Sequence, residues 1–213
     1  INPYIVVKTS GSTGNPKSIH LRKDFMINSA LATGRYFQLK ENTKALCCLP
    51  IKFIAGKMML VRALTLGWDL DVVEPKSNPL QEITKEYDFS AMVPLQLRNS
   101  ILKIDQIKTL IVGGGVVSRD LEKAIQTVDT KCYATYGMTE TSTHVAVKKL
   151  NKFTQLELES ESAYKTLPDV TVSKDKRSCL VIHAPKISDV NIITNDVVQV
   201  VSKTEFNWKG RLD

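Results

Sequence analysis

The segment Thr9-Ser10-Gly11-Ser12-Thr13-Gly14-Asn15-Pro16-Lys17 gathers glycines, hydroxyls and a lysine into one short stretch. Gly11 and Gly14 admit backbone conformations closed to other residues, so successive N–H groups can converge on an anion. Ser10, Ser12 and Thr13 add hydroxyl donors, and Lys17 adds a mobile positive charge. This is the chemistry of a phosphate-binding loop. It is not a Walker A loop, because Asn15 and Pro16 separate the last glycine from the lysine. Out of context the same composition also fits a plain Ser/Gly turn.

Three further groups carry chemistry. Gly113-Gly114-Gly115 directly follows an apolar run and lets a flat ligand approach the backbone; a tight turn is the plainer reading. Tyr136-Gly137-Met138-Thr139-Glu140-Thr141 offers a stacking ring, a hydroxyl donor at Thr139 and a hard oxygen ligand for magnesium at Glu140. Thr194-Asn195-Asp196 places a carboxylate that accepts both hydroxyls of a ribose, and Arg211 in Lys209-Gly210-Arg211-Leu212-Asp213 can reach ribose or phosphate. Each group alone also has a bland surface reading. Arg62 stands apart, as a lone arginine in the almost wholly apolar stretch from Phe53 to Leu66. Burying it unpaired is costly, so it calls for an anion. That anion is either an acidic residue of the protein or a group on the substrate.

The elements that must position these groups alternate along the first two thirds of the chain. Strand-like runs at residues 4–7, 45–49, 70–73, 89–93, 109–112 and 132–136 are separated by helical patterns. Phe25, Ser29, Ala32 and Tyr36 share one face of a helix over residues 22–37. The spacing predicts further helices over 53–66 (ending at Gly67), over 79–87, over 95–102 and after Ser118. The phosphate loop then falls between a strand and a helix. The expected class is α/β, a mostly parallel sheet flanked by helices, over residues 1–145. Residues 146–213 read as a smaller β-rich portion, a distorted barrel or small second sheet.

Composition narrows the function. The chain has 213 residues, 43% hydrophobic and 24% charged, enough for a sizeable core and unlike a disordered tail. The formal charge of +7 favours anionic partners, but no basic helix or Cys/His finger points to nucleic acid. No apolar run is long enough to span a membrane, and residues 1–8 lack a signal-peptide pattern. The chain starts without methionine, which reads as a trimmed or fragmentary chain. Cys47, Cys48, Cys132 and Cys179 fit buried thiols in a reducing compartment, hence a cytoplasmic protein. His20, His144 and His183 show no zinc spacing. A homodimer is left open.

Taken in order, the phosphate loop, the Tyr136-Gly137-Met138-Thr139-Glu140 motif, Thr194-Asn195-Asp196 and Gly210-Arg211-Leu212-Asp213 resemble the adenylate-forming superfamily of acyl-CoA synthetases, adenylation domains and luciferases. The resemblance covers the chain from end to end. It implies the large N-terminal domain of such an enzyme, cut at the hinge aspartate matched by Asp213, without the lid that carries the family's catalytic lysine. It implies ATP, Mg2+ and coenzyme A, and a small carboxylate activated as an acyl-adenylate before transfer to the CoA thiol. By motif, Thr9, Ser10, Gly11, Ser12, Thr13, Gly14 and Lys17 would hold the β- and γ-phosphates. Gly113, Gly114, Gly115, Tyr136, Gly137 and Met138 would line the adenine side. Thr139 would contact the α-phosphate, Glu140 would hold magnesium, and Asp196 with Arg211 would take the ribose. Lys17, Thr139 and Glu140 then form the catalytic set.

The stretch Leu49–Leu64 is similar to the o-succinylbenzoate–CoA ligases of menaquinone biosynthesis, where the arginine matched by Arg62 contacts a substrate carboxylate. Gly56 and Thr143 join Arg62 as expected substrate-binding residues. Asn195 in place of the usual glycine before Asp196 also matches that group, whereas Lys52-Phe53 departs from the usual aromatic–histidine pair. Another aryl- or acyl-CoA ligase or an amino-acid adenylation domain is the nearest alternative. A noncatalytic nucleotide-binding or basic interaction module is the alternative of another class.

Overall fold

The structure is a computed structural model that describes residues 2–8, 18–155 and 162–212. The phosphate-loop residues Thr9, Ser10, Gly11, Ser12, Thr13, Gly14 and Lys17 lie outside the described residues.

A short hairpin, β1 (Tyr4–Lys8) and β2 (Ser18–Arg22), opens the chain and pairs Lys8 with Ser18. The loop between them therefore joins two paired antiparallel strands, not a strand and a helix as the pattern predicts. Alternating burial in β2, with Leu21 inside and His20 outside, is the signal that gives this strand. α1 (Lys23–Phe37) follows at once.

Next come β3 (Lys44–Cys47), α2 (Ile54–Leu66), β4 (Asp69–Val72), β5 (Tyr87–Met92), α3 (Pro94–Ser100), β6 (Ile107–Val112), α4 (Arg119–Ala124) and β7 (Lys131–Gly137). The strands β4, β3, β5, β6 and β7 lie side by side and parallel. Both faces are covered, which is why these strands read as nearly continuous apolar runs. Ala45, Cys47, Phe89 and Ile111 pack on one face under Met59 and Ala63 of α2. Leu46, Cys48, Leu110 and Cys132 pack on the other, under Leu97, Leu121 and Ile125. The adjacent Cys47 and Cys48 thus enter opposite layers, and all four cysteines are free and buried. Gly67 caps α2 with a left-handed φ of 67°, as expected. α2 is not buried all round, since Leu64 is 87% exposed while Arg62 is 1% exposed.

Residues 79–87, where the spacing predicts a helix, form turns that run into β5. Leu80 is fully buried, but the carbonyls of Gln81 and Ile83 are taken by Lys103 Nζ and Gln106 Nε2. Side chains of the following 3-10 turn, Ile101–Gln106, supply the hydrogen bonds a helix would have made internally.

At β8 (His144–Lys149) the sheet turns antiparallel. β9 (Tyr164–Thr166), β10 (Thr171–Lys174), β11 (Cys179–His183), β12 (Ile192–Ser202) and β13 (Glu205–Arg211) continue it in the order β8-β9-β13-β12-β11-β10. Among the described residues this is one open run of strands from β10 to β4, with no ladder closing a barrel. The β-rich part builds its own core around Leu180, Ile182, Val198 and Phe206.

The junction of the two parts is pinned by Asn151, which is fully buried. Its Oδ1 accepts from the Cys132 N–H at 2.9 Å, and its Nδ2 donates to the carbonyls of Ile125 (2.8 Å) and Thr130 (2.9 Å). Asn151→Ala leaves the buried Cys132 N–H without its acceptor and takes a donor from each of the Ile125 and Thr130 carbonyls. We expect it to lower unfolding free energy by about 3 kcal/mol, read as a fall in the urea midpoint at unchanged slope.

Candidate active site

The parallel strands β3, β5, β6 and β7 end on the same edge of the sheet, and the segments beyond their ends meet in one cleft. A cavity of about 370 Å³ is lined by Leu49 after β3, Val93 after β5, Gly113 and Gly114 after β6, and Gly137 and Met138 at the end of β7. Gly56 and Arg62 of α2 close one side, with Thr139, Thr143 and His144 completing the wall. Eight residues that the motifs single out separately therefore share one space: Gly56, Arg62, Gly113, Gly114, Gly137, Met138, Thr139 and Thr143. Clefts at the carboxyl ends of parallel strands are the usual ligand sites of open α/β sheets.

Close backbone approach builds the wall. A Cβ on Gly137 would overlap the Thr143 carbonyl oxygen, and one on Gly56 would overlap that of Pro50. Between these points, Thr141 Oγ1 accepts from the Met138 N–H at 2.9 Å, and Ser142 takes a φ of 63°. A positive φ at a non-glycine residue costs of order 1 kcal/mol and marks an over-determined turn. Here it brings the chain from Glu140 round to Thr143 and His144. β2 packs beside this turn.

Arg62 is held by neutral acceptors. Its Nε donates to Thr33 Oγ1 at 3.4 Å, and its Nη2 donates to Thr143 Oγ1 at 3.2 Å and to His144 Nδ1 at 3.3 Å. No carboxylate pairs with it among the described residues. Burial lowers its pKa to about 10, so the guanidinium is still charged at neutral pH. Burial and the neighbouring Arg62 charge push His144 well below its ordinary value. A neutral ring that accepts at Nδ1 carries its proton on Nε2, which is buried without a partner among the described residues.

Beside the first cavity lies a second of about 310 Å³, lined by Gly115, Val116, Tyr136 and Trp208 among others. Tyr136 donates to Asp196 Oδ2 at 2.6 Å and meets the Phe206 ring edge-on, the centroids 5.2 Å apart. Burial and the Asp196 charge raise the Tyr136 pKa, so its hydroxyl stays protonated. Arg211 is opposite Asp196 in the β12–β13 register, with a guanidinium nitrogen 3.9 Å from Oδ1. Glu140 is exposed on the Thr139–Thr141 turn. Among the described residues no group of three or more His, Cys, Asp or Glu is placed to hold a metal. Glu140 thus fits only a magnesium ion that takes its other oxygens from phosphate and water. His144, Thr33 and Trp208 are site residues that the motifs do not point to.

A family model described as AMP-binding enzyme matches residues 2–173. The 2-succinylbenzoate–CoA ligase of Bacillus cytotoxicus is 27% identical over 150 residues, covering 66% of this chain and 31% of that protein. A linear gramicidin synthase polypeptide of Brevibacillus parabrevis is 28% identical over 155 residues, 69% of this chain and 2% of that protein. Among solved structures, an acyl-CoA synthetase (AMP-forming)/AMP-acid ligase II-like protein from Dyadobacter fermentans is 38% identical with a TM-score of 0.87, covering 98% of this chain and 60% of that one. The o-succinylbenzoate CoA synthetase (MenE) of Bacillus subtilis in complex with ATP and magnesium ion is 17% identical with a TM-score of 0.82, covering 97% and 49%. The Dyadobacter protein shows a close likeness and the Bacillus subtilis synthetase a shared fold. The chain spans about a third of the length of the curated 2-succinylbenzoate–CoA ligases it matches.

The depressed His144 pKa has a stability consequence. Below the ordinary value of 6.5 an unfolded chain binds a proton at this ring that the folded chain refuses, so stability falls as pH falls through that window. Between pH 6.5 and 5.5 the loss is about 1 kcal/mol for one proton while the folded ring stays neutral. His144→Gln should flatten this part of the stability–pH curve, measured by urea unfolding from pH 7 to 5.

Proposed function

The chain belongs to the AMP-binding enzyme family, and from that premise we propose that it is the nucleotide- and acid-binding part of an ATP-dependent acid–CoA ligase. The reaction is attack of a substrate carboxylate oxygen on the α-phosphorus of ATP, with loss of pyrophosphate. The CoA thiol then attacks the acyl-adenylate carbonyl and AMP leaves. The observation that carries this reading is the single cleft lined together by Arg62, Thr143, Gly113, Gly114 and Thr139.

Each part of the nucleotide has its own residues. Adenine lies against Gly115 and Tyr136, and the ribose meets Asp196 with Arg211 nearby. Thr139 holds an α-phosphate oxygen. The Thr9–Lys17 loop takes the outer phosphates, and Lys17 offsets their charge as pyrophosphate departs. Glu140 is the residue that would hold magnesium, which offsets phosphate charge when bound.

Two features support an acid with a second anionic group, o-succinylbenzoate being the finer assignment. Arg62 is fixed, charged and without a carboxylate partner among the described residues. A carboxylate on the substrate supplies the missing counter-charge through charge-assisted hydrogen bonds. The resemblance over Leu49–Leu64 and the curated 2-succinylbenzoate–CoA ligases point the same way. An amino-acid substrate is disfavoured by the same cavity, because its lining contains Arg62 and no Asp or Glu to meet an ammonium group. Another aryl or acyl acid with an anionic handle fits equally well.

ATP–pyrophosphate exchange with a panel of acids tests the reading. o-Succinylbenzoate should drive exchange and benzoate, fatty acids and amino acids should not. Arg62→Met should raise the apparent KM for the dicarboxylate about 10- to 100-fold, the range of one charged hydrogen-bonded contact, while ATP affinity changes little. Equal losses for acid and ATP would return Arg62 to a structural role, and efficient exchange with monocarboxylates would overturn the substrate class.

A further inference from the structure

Asp196 is 6% exposed, and both of its carboxylate oxygens are already engaged by the protein. Oδ2 accepts from the Tyr136 hydroxyl at 2.6 Å, and Oδ1 accepts from the Trp208 indole N–H at 3.2 Å. An ionised carboxylate offers about four lone-pair sites, two on each oxygen. One donor on each oxygen leaves one acceptor position on each. Two acceptors on the two oxygens of a single carboxylate match the two O–H donors of a vicinal diol.

The identity of the donors matters. Both are neutral, so they fix the carboxylate without cancelling its charge. A bidentate arginine added to these two donors would take both remaining positions and leave the diol nothing. Arg211 does not do this: its nitrogen stands 3.9 Å away, and its side chain is 69% exposed. Trp208 is 42% exposed, so its ring contributes less to the core than a buried tryptophan would. Its N–H nevertheless turns inward to a buried acceptor. The β12–β13 ladder permits this, since Trp208 pairs with Val198 just past a bulge at Val197/Val198, two residues from Asp196.

We propose that Trp208 is a positioning residue for ribose recognition, its indole N–H together with the Tyr136 hydroxyl setting the Asp196 carboxylate to receive a 2′,3′-diol. This rests on the assignment of Asp196 to the ribose above and adds a residue that no motif marks. It also makes a ribonucleotide the required ligand, because a sugar missing either hydroxyl leaves one fixed acceptor unfilled.

The test is equilibrium binding of ATP and of 2′,3′-dideoxy-ATP to the chain, in the wild type and in Trp208→Phe, with Trp208→His as the variant that retains a ring N–H. The wild type should prefer ATP over the dideoxy analogue by at least tenfold. Trp208→Phe should weaken ATP about tenfold, leave dideoxy-ATP within twofold, and so collapse the preference; Trp208→His should restore part of it. Equal weakening of both nucleotides, or no weakening of either, overturns the positioning role while leaving the ligase reading intact. Equal wild-type affinity for the two nucleotides overturns the diol assignment. A wild type that binds neither nucleotide sinks the ligase reading and this inference together. Should Trp208→Phe fail to fold, the wild type still decides. The chain has only two tryptophans, Trp68 and Trp208, so the 15N-indole signal of Trp208 can be followed directly. That signal should shift with ATP and stay put with dideoxy-ATP, and the same shift with both would refute the proposal.

Discussion

The site exists because four parallel strands stop on one edge of the sheet. Parallel pairing forces every connection to cross back over a face, so all the carboxyl ends point the same way. The segments after β3, β5, β6 and β7 therefore converge without any one of them being long. β7 then pairs with β8 in the opposite sense, which folds the chain back at Gly137–His144 and turns a row of loops into an enclosed wall. Glycine is required at that fold because the Thr143 carbonyl passes where a side chain would start. Sheet direction, the close approach at Gly137 and the positive φ at Ser142 are thus one constraint, and the residues of both cavities hang from it.

Within that frame the sheet junction separates two kinds of chemistry. On the α2 side a buried cation is held by Thr33, Thr143 and a neutral His144. On the β12–β13 side a buried carboxylate is held by two neutral donors, Tyr136 and Trp208. In both places the hydrogen bonds that orient the charge come from uncharged partners, and the one nearby counter-charge among the described residues, Arg211 at 3.9 Å from Asp196, is largely exposed. A protein pairing these charges with fixed counter-ions would be safer to fold and useless for binding. The unpaired arginine costs stability, and such costs are commonly found where function needs them.

Much of this was legible in the sequence. The alternation of apolar runs and helical spacings gives β3, α2, β5, β6, α4 and β7 nearly at their true bounds, because strands buried on both faces and an amphipathic α1 leave plain periodic marks. The glycines after β6 and at the end of β7 could be placed in a cleft for the same reason. What was hidden is long-range. The turns at residues 79–87 look helical because the groups that capture their carbonyls, Lys103 and Gln106, are about twenty residues away. The β-rich portion suggests a barrel because short alternating strands do not say whether they close; their pairing shows an extension of the same sheet. Arg62 announces a need for an acceptor, but nothing local reveals that His144 is that acceptor, 82 positions on. Trp208 gives no signal at all until the β12–β13 register sets it beside Asp196.

The proposed pairing of Arg62 with a second, non-reacting anionic group also answers a chemical difficulty. The proposed reaction joins a carboxylate to a triphosphate, two anions that repel. An arginine on the reacting carboxylate would ease that repulsion but would equally stabilise the ground state and blunt the nucleophile. An arginine on a second, non-reacting anionic group avoids the conflict. It supplies binding energy at a distance from the reacting atoms, and that energy goes into holding the other carboxylate in line with the α-phosphorus. Charge offset at the reacting end is left to groups that act on the leaving pyrophosphate, where negative charge grows as the bond breaks. In that proposal the acid is anchored by one end and free at the other. A cation fixed deep on α2, without an acidic partner among the described residues, is what that arrangement requires.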